Sequence, residues 1–212
     1  MSNLDQFRND ILDRALSHIV IDGWSWRALD AAAQDVGIDM GTLKRAFPNG
    51  PRDLVIYFNN TGDEMMLAEL NNLDIESMPI RERISSAVKV RLQQNAYHQE
   101  ALRKLLSYLA FPSNVMLGVK CCYQTVDAIW YLAGDTSTDF NYYSKRGLLA
   151  GIYSSTILYW LSDQSEDFED TWTFLDRRIS DVLKIPSLNT ALSKRFARLP
   201  SPIRIMCSRI LP

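Results

Sequence analysis

Two histidines, three cysteines and a spread of carboxylates are the side chains of this chain that could make or break bonds. Their spacing builds no reaction centre. A di-iron site in a helical bundle needs Glu-x-x-His pairs on facing helices. Ala15 stands three residues before His18 and Asn95 three before His98, so neither histidine has that partner. There is no Gly-rich phosphate loop, and no Ser-His-acid set has both partners evident. Cys121 and Cys122 are adjacent, and neighbouring cysteines rarely reach disulfide geometry without strain. They read as packing. The expectation is a non-catalytic protein with no metal site and no cofactor.

Binding chemistry is better represented. Residues 182–212 carry Lys184, Lys194, Arg195, Arg198, Arg204 and Arg209 without one Asp or Glu. The rest of the chain holds 17 basic and 25 acidic residues, a charge of −8 against +6 in the tail. Within the tail, Ile185, Leu188, Leu192, Phe196 and Leu199 recur at spacings of 3, 4, 4 and 3, which places them on one helical face. A helix of this kind can lie in the interface of an anionic membrane, each basic residue adding on the order of 1 kcal/mol. Leu188, Leu192, Lys194, Arg195, Phe196, Arg198 and Leu199 are therefore the candidate membrane contacts. The same stripe would equally suit packing on the chain's own body or on a dimer mate.

A second group, Asp127, Trp130, Asp135, Asp139, Tyr142 and Tyr143, mixes carboxylates with aromatics. Asp127 and Trp130 share a helical face by their i, i+3 spacing. Exposed aromatics beside carboxylates suit a protein interface better than a catalytic centre. Helix capping with core packing is the alternative reading of the same residues.

The elements that must position these groups all read as helices. Hydrophobic residues make up 47% of 212 residues and charged residues 23%, ordinary for a globular chain with a sizeable core. Leu4, Phe7, Ile11, Ala15 and Ile19 form one stripe of a first helix. A short helix from Trp26 to Asp35 ends at Gly37, and another runs from Asp39 to Phe47 before Pro48-Asn49-Gly50-Pro51. This is the grammar of a helix-turn-helix. Pro51, Pro79 and Pro112 are placed to open three further helices. Leu54, Phe58, Met65 and Leu73 should mark the buried side of the first, Ile84, Val88 and Leu92 that of the second. Val115, Val119, Thr125 and Ile129 should do so for the third, with a shorter apolar helix from Ala101 to Leu109 before it. After Gly134 and the possible caps at Thr136 to Asp139, Tyr143, Leu148, Ile152, Ile157 and Trp160 mark a helix expected to be central. Trp172, Leu175, Ile179 and Val182 follow.

Charge argues against a duplex as the partner. Residues 1–60 hold six basic against eight acidic residues, a net of −2, whereas DNA affinity comes mostly from cations that displace counterions. No run of about 18 apolar residues is present to span a bilayer. Met1 to Asp13 is polar and acidic, reading as neither a secretory signal nor a basic transit peptide, though a trimmed chain would look the same. Three cysteines make no disulfide framework, so a reducing compartment is expected.

The Gly23-Trp24 corner, Ala31-Ala32-Ala33, the Gly37-Ile38 turn, Gly41-Thr42-Leu43 and Phe47-Pro48 before Leu54 together resemble the TetR family of repressors. Lys44-Arg45-Ala46 departs from it, standing where a tyrosine and a second aromatic or histidine usually touch the phosphate backbone. The stretch from Trp130 to Asn141 followed by Tyr143 resembles one branch, the TetR-like accessory proteins of ubiquinone (coenzyme Q) biosynthesis. So does the stretch from Ser165 to Trp172 with Phe174-Leu175. The resemblance covers roughly residues 5 to 185.

It implies an all-α, TetR-repressor-like fold of about ten helices. Residues 1–50 would be a degenerate helix-turn-helix, 51–185 a lipid-binding and dimerisation bundle, and 186–212 a basic membrane-contacting tail. It further implies a homodimer that binds no nucleic acid and presents an isoprenoid quinone lipid to the demethoxyubiquinone hydroxylase. A bound isoprenoid or phospholipid is expected. Met65, Leu105, Leu109, Phe111, Met116, Leu148, Ile152, Thr156 and Trp160 are the expected lining, though periodicity alone reads each as ordinary core. Asp127, Trp130, Tyr142 and Tyr143 correspond to the face that meets the hydroxylase, with a family tryptophan where Tyr142 stands. The implied location is peripheral, on the cytoplasmic side of a bacterial inner membrane or the matrix side of the mitochondrial one. A ligand-responsive transcriptional repressor of TetR type is the rival reading, and an interaction-only scaffold with a filled core is a third.

Overall fold

The computed structural model describes residues 3–135 and 140–183. The basic tail, with Leu188, Leu192, Lys194, Arg195, Phe196, Arg198 and Leu199, lies outside the described residues, as do the cap candidates Thr136 to Asp139. The described residues form nine α-helices joined by turns and three short 3-10 segments, with no strand. In order they are α1 (Asn3–Asp22), α2 (Trp26–Val36), α3 (Met40–Ala46), α4 (Pro51–Asn71), α5 (Ile80–Gln93), α6 (Gln99–Ala110), α7 (Val115–Leu132), α8 (Phe140–Ser162) and α9 (Glu169–Leu183).

The first helices are set by local chemistry. Ser25 caps α2 by accepting from the Ala28 amide, and Gly37 ends it in the left-handed conformation that glycine adopts without strain. Asp39 caps α3, accepting from the Gly41 and Thr42 amides at 2.8 and 3.0 Å. Gly50 turns the chain into α4 at φ +58, with the Trp26 ring so close that a Cβ there would lie 2.3 Å from it. Only glycine fits that junction.

One core runs from Ile11 through Trp24, Leu54, Val88 and Ile129 to Ile179, so the boundary expected near residue 50 falls inside continuous packing. Trp24 joins the two sides directly. Its ring meets Phe58 edge-on at 5.4 Å, and its Nε1 donates to the Ala101 carbonyl of α6 at 3.0 Å. Beyond it, α4 packs on α5 and α7, and α8 lies between α7 and α9.

Three expected stripes shift. On α4 the buried residues toward the C-terminal end are Met66 and Leu70, while Met65 and Leu73 are exposed. The face turns because α5 covers one side of α4 and α7 another. On α7, Leu117 and Cys121 are buried and Val115 and Val119 face outward. That helix begins at Val115 with Asn114 as its cap, and Pro112 sits in the preceding turn. Finally, α8 is not surrounded on all sides. Tyr143, Gly147, Gly151 and Leu158 are exposed, while Arg146, Leu149, Tyr153, Thr156 and Trp160 are buried.

Candidate functional site

A cavity of about 270 Å³ lies among α4, α5, α6, α7 and α8. Val55 and Phe58 of α4, Leu92 of α5, Leu102, Leu105, Leu106 and Leu109 of α6, and Ile157 of α8 give it an apolar wall. Gly118, Cys121 and Cys122 close the α7 side, and Tyr153, Ser154 and Leu158 the α8 side. Gly118 matters by size, since a Cβ there would meet the Leu109 side chain at 3.4 Å. Ser154 and Leu158 are exposed and so stand at the mouth, whereas Arg91, Asn95 and Tyr153 are buried and stand deep inside.

Of the nine expected lining residues, Leu105 and Leu109 line this cavity. Met65, Phe111 and Met116 are 53%, 64% and 73% exposed, so they are surface residues rather than cavity walls. Ile152, Thr156 and Trp160 are buried core of α8, and Leu148 is half-buried; none of the four borders the space. The reason is helical phase: the cavity meets α8 along residues 153, 154, 157 and 158, one position off the expected row. At about 270 Å³ it also falls at the small end of ligand pockets, roughly 300–1,000 Å³, rather than forming a long channel.

The deep end holds charge that periodicity did not flag. Arg91 projects from the buried face of α5 that also carries Ile84, Ala87 and Val88. Its Nε donates to Asp63 at 2.9 Å and its Nη2 to the Asn59 carbonyl at 3.4 Å. Asp63 also accepts from Thr125 Oγ1 at 2.8 Å and Asn59 Nδ2 at 3.0 Å. Burial pushes the Asp63 carboxyl up, against the pull of Arg91 and of the hydroxyl and amide donors. Burial also works against the charge on Arg91, but Tyr153 and Asp63 outweigh it and the guanidinium is held above its ordinary value. Room for the pair comes from Gly62, where a Cβ would lie 2.6 Å from the guanidinium carbon. Burial raises the Tyr153 phenol to about 12 and pushes the Cys121 and Cys122 thiols up, so all three are neutral groups. The available signals were Arg91 on an apolar helical row and a Gly62-Asp63 pair inside α4.

The acidic and aromatic residues do come together, at the crossing of α7 and α8. Arg146 is buried there and donates to Asp127 at 2.6 Å and Asp135 at 3.0 Å, with its guanidinium 3.3 Å from the Tyr142 ring centre. Lys145 reaches Asp135 at 2.7 Å, and Trp130 Nε1 donates to the Lys145 carbonyl at 3.1 Å. Tyr142 donates to Asp127 at 3.2 Å and shares a 2.8 Å hydroxyl contact with Tyr123. Hydrogen bonding to Tyr123, burial and the nearby Asp127 carboxylate raise the Tyr142 phenol to about 12. Trp130 and Tyr142 are thus half-buried parts of a joint, and Tyr143, at 68% exposure, is the aromatic offered outward. Tyr131, next to Trp130 in sequence, is exposed as well.

At the other end of the molecule, α3 presents Lys44 and Arg45 but opens on a carboxylate. Hydrogen bonds from Thr42 hold Asp39 below the usual carboxylate range, so the helix start is anionic. Arg45 is turned onto Thr42 at 2.7 Å. Among the described residues no three His, Cys, Asp or Glu side chains gather as metal ligands, and no helix is long and apolar enough to cross a membrane.

This arrangement of helices is that of the TetR regulators. The TetR transcriptional regulator from Nitrosomonas europaea matches with a TM-score of 0.68 at 21% identity, over 84% of this chain and 99% of that one. By sequence the chain is similar to the COQ9 proteins. The COQ9 model matches residues 115–186, which begin at α7 and run through α8 and α9. The mitochondrial ubiquinone biosynthesis protein COQ9 of Rattus norvegicus is 33% identical over 190 residues, 85% of this chain and 60% of that protein. The Homo sapiens protein of the same name is 32% identical, with 85% and 59% covered. COQ9-B of Xenopus laevis is 35% identical, with 84% and 63% covered. The chain therefore spans about three fifths of the length of the curated relatives it matches.

Proposed function

We propose that the chain is a non-catalytic lipid-binding protein of ubiquinone biosynthesis. It takes up an isoprenoid quinone precursor at a membrane surface and presents it to the demethoxyubiquinone hydroxylase. The observation that carries this reading is the apolar cavity among α4 to α8, with Ser154 and Leu158 of α8 at its mouth. A polyprenyl chain is stabilised there by burial, on the order of 25 cal/mol per Å² of apolar surface removed from water. Helices α7 and α8, which wall the cavity, also carry the acidic and aromatic joint, with Tyr143 outward as a docking residue for the hydroxylase. Ubiquinone biosynthesis is what the relatives are named for.

The basic tail supplies the membrane contact through Leu188, Leu192, Phe196 and Leu199 with Lys194, Arg195 and Arg198. A homodimer would cover the apolar side chains that α7 turns outward, Val115, Met116 and Val119. The chain works without DNA, because the anionic start of α3 opposes phosphate and six basic residues in 1–60 face eight acidic ones. Its place is the inner face of an energy-coupling membrane, bacterial or mitochondrial.

Mass spectrometry of lipids extracted from purified protein tests the reading. An isoprenoid lipid near one per chain supports it, and lipid-free protein contradicts it. Removal of residues 186–212 is expected to abolish sedimentation with anionic vesicles while leaving helicity unchanged; undiminished sedimentation would overturn the membrane role.

A further inference from the structure

The two ends of the cavity among α4 to α8 differ in what they can hold. Of its described lining residues only Ser154 and Leu158 are exposed, and both belong to α8. The buried end carries Arg91, Asn95 and Tyr153, with Asp63 bonded to Arg91 at 2.9 Å. Hydrocarbon pressed against these groups would block their hydrogen bonding without replacing it, which is costly. Between the two ends the wall is apolar, formed by Phe58, Leu102, Leu105, Leu106, Leu109 and Ile157. An apolar chain is therefore stable in the middle section and stops short of the charge pair.

A space with one mouth takes a chain by its end, because a mid-chain segment would have to double back inside it. The ring has to stay outside for the hydroxylase to reach it, so the free end of the tail is what enters. Volume then fixes how much of the tail is held. At roughly 30 Å³ for a water-sized group, the cavity of about 270 Å³ takes about nine heavy atoms, close to the roughly ten carbons of two prenyl units. Further units have no wall of this cavity to meet.

We propose that the cavity grips the free end of the tail, about two prenyl units deep, and leaves the ring and the remaining units outside. This rests on the lipid-binding reading above and adds which part of the lipid is held. Affinity depends on tail length up to that depth, and longer tails are served alike. Gly118 sets part of the limit. A Cβ there already meets the Leu109 side chain at 3.4 Å, so a larger residue shortens the space. The acyl end of a phospholipid enters in the same way, with its head outside.

The test uses the full chain and benzoquinones that carry one, two, three or four prenyl units. Each carbon buried is worth about a factor of four in affinity. Calorimetric titration is expected to show a gain of at least about a hundredfold from one unit to two, and less than about fivefold for each unit after that. Equal steps through the fourth unit, or no gain from one unit to two, would overturn the limited grip while leaving lipid binding intact. Dithionite, a reductant confined to water, should convert the ring of the bound four-unit quinone to the hydroquinone as fast as it converts the unbound one-unit compound. A protected ring would overturn the tail-first orientation. Gly118→Leu should move the plateau down to one unit, and an unchanged length dependence at equal helicity would overturn the assignment to this cavity. Should that variant not fold, the series on the natural chain still decides. Failure of all four quinones to bind would overturn the lipid-binding reading as well.

Discussion

Arg91 and Arg146 are both buried, both sit on helices of the same bundle, and both meet carboxylates, yet they are furnished for different work. Arg146 has two carboxylates, Asp127 and Asp135, a backbone carbonyl and the face of Tyr142. Its Nε and Nη1 tie α8 to the end of α7. Arg91 has one carboxylate and a cavity in front of it. The comparison teaches that a buried arginine held between two carboxylates is a joint between helices, whereas one with a single carboxylate at a cavity wall puts a polar edge into an otherwise apolar space.

Variants at these positions sharpen the contrast. Arg91→Ala strands Asp63 as an unpaired buried carboxylate and is expected to cost about 3–5 kcal/mol in denaturant unfolding. The double variant Asp63→Asn/Arg91→Met should recover most of that loss, as matched removal of buried pairs usually does. Arg146→Met takes one cation from the exposed Asp127 and from the buried Asp135, which keeps Lys145, and a loss of about 2–4 kcal/mol is expected. Here matched removal of Asp127 should restore little, because Asp135 remains buried. Equal rescue at both sites would erase the distinction.

Gly50→Ala probes the packing on which both regions rest. A Cβ at Gly50 collides with Trp26 at a positive φ, and a loss of about 1–3 kcal/mol is expected by thermal unfolding. The smallest effect concerns Asp163, between α8 and α9. Burial would raise its carboxyl, but Thr171 and Ser165 hydroxyls and amides hold it down at about 2. A lowered folded pKa contributes stability above the unfolded carboxylate value and loses it as pH falls toward about 2. Partial exposure screens the contribution to about 1 kcal/mol. Asp163→Asn should therefore flatten the acid limb of the stability profile between about pH 4 and 2 and change little in its shape near neutrality.

The helices were legible because their signals are local. Ser25, Gly37, Asp39 and Gly50 set the helix-turn-helix through capping and turn geometry that span a few residues. The acidic and aromatic joint was legible in composition, although its half-buried Trp130 and Tyr142 serve the joint more than the surface. The cavity wall was not. Each helix of the bundle touches several neighbours, so its buried face is wider than one stripe, and a shift of one residue moves a side chain from wall to core. That is why Leu105 and Leu109 line the space and Ile152 does not. Met65, Phe111 and Met116 were misplaced because apolar character does not distinguish a buried face from an exposed one. The Asp63–Arg91 pair joins residues 28 apart in sequence and depends on how α4 meets α5, which no local pattern encodes.

Native mass spectrometry of the intact protein, compared with a Leu106→Trp variant that fills the cavity, addresses the central claim most directly. The natural chain should carry a mass adduct of one isoprenoid lipid that the variant lacks at equal helicity. An adduct of the same mass and occupancy on both proteins, or on neither, would contradict a lipid held among α4 to α8.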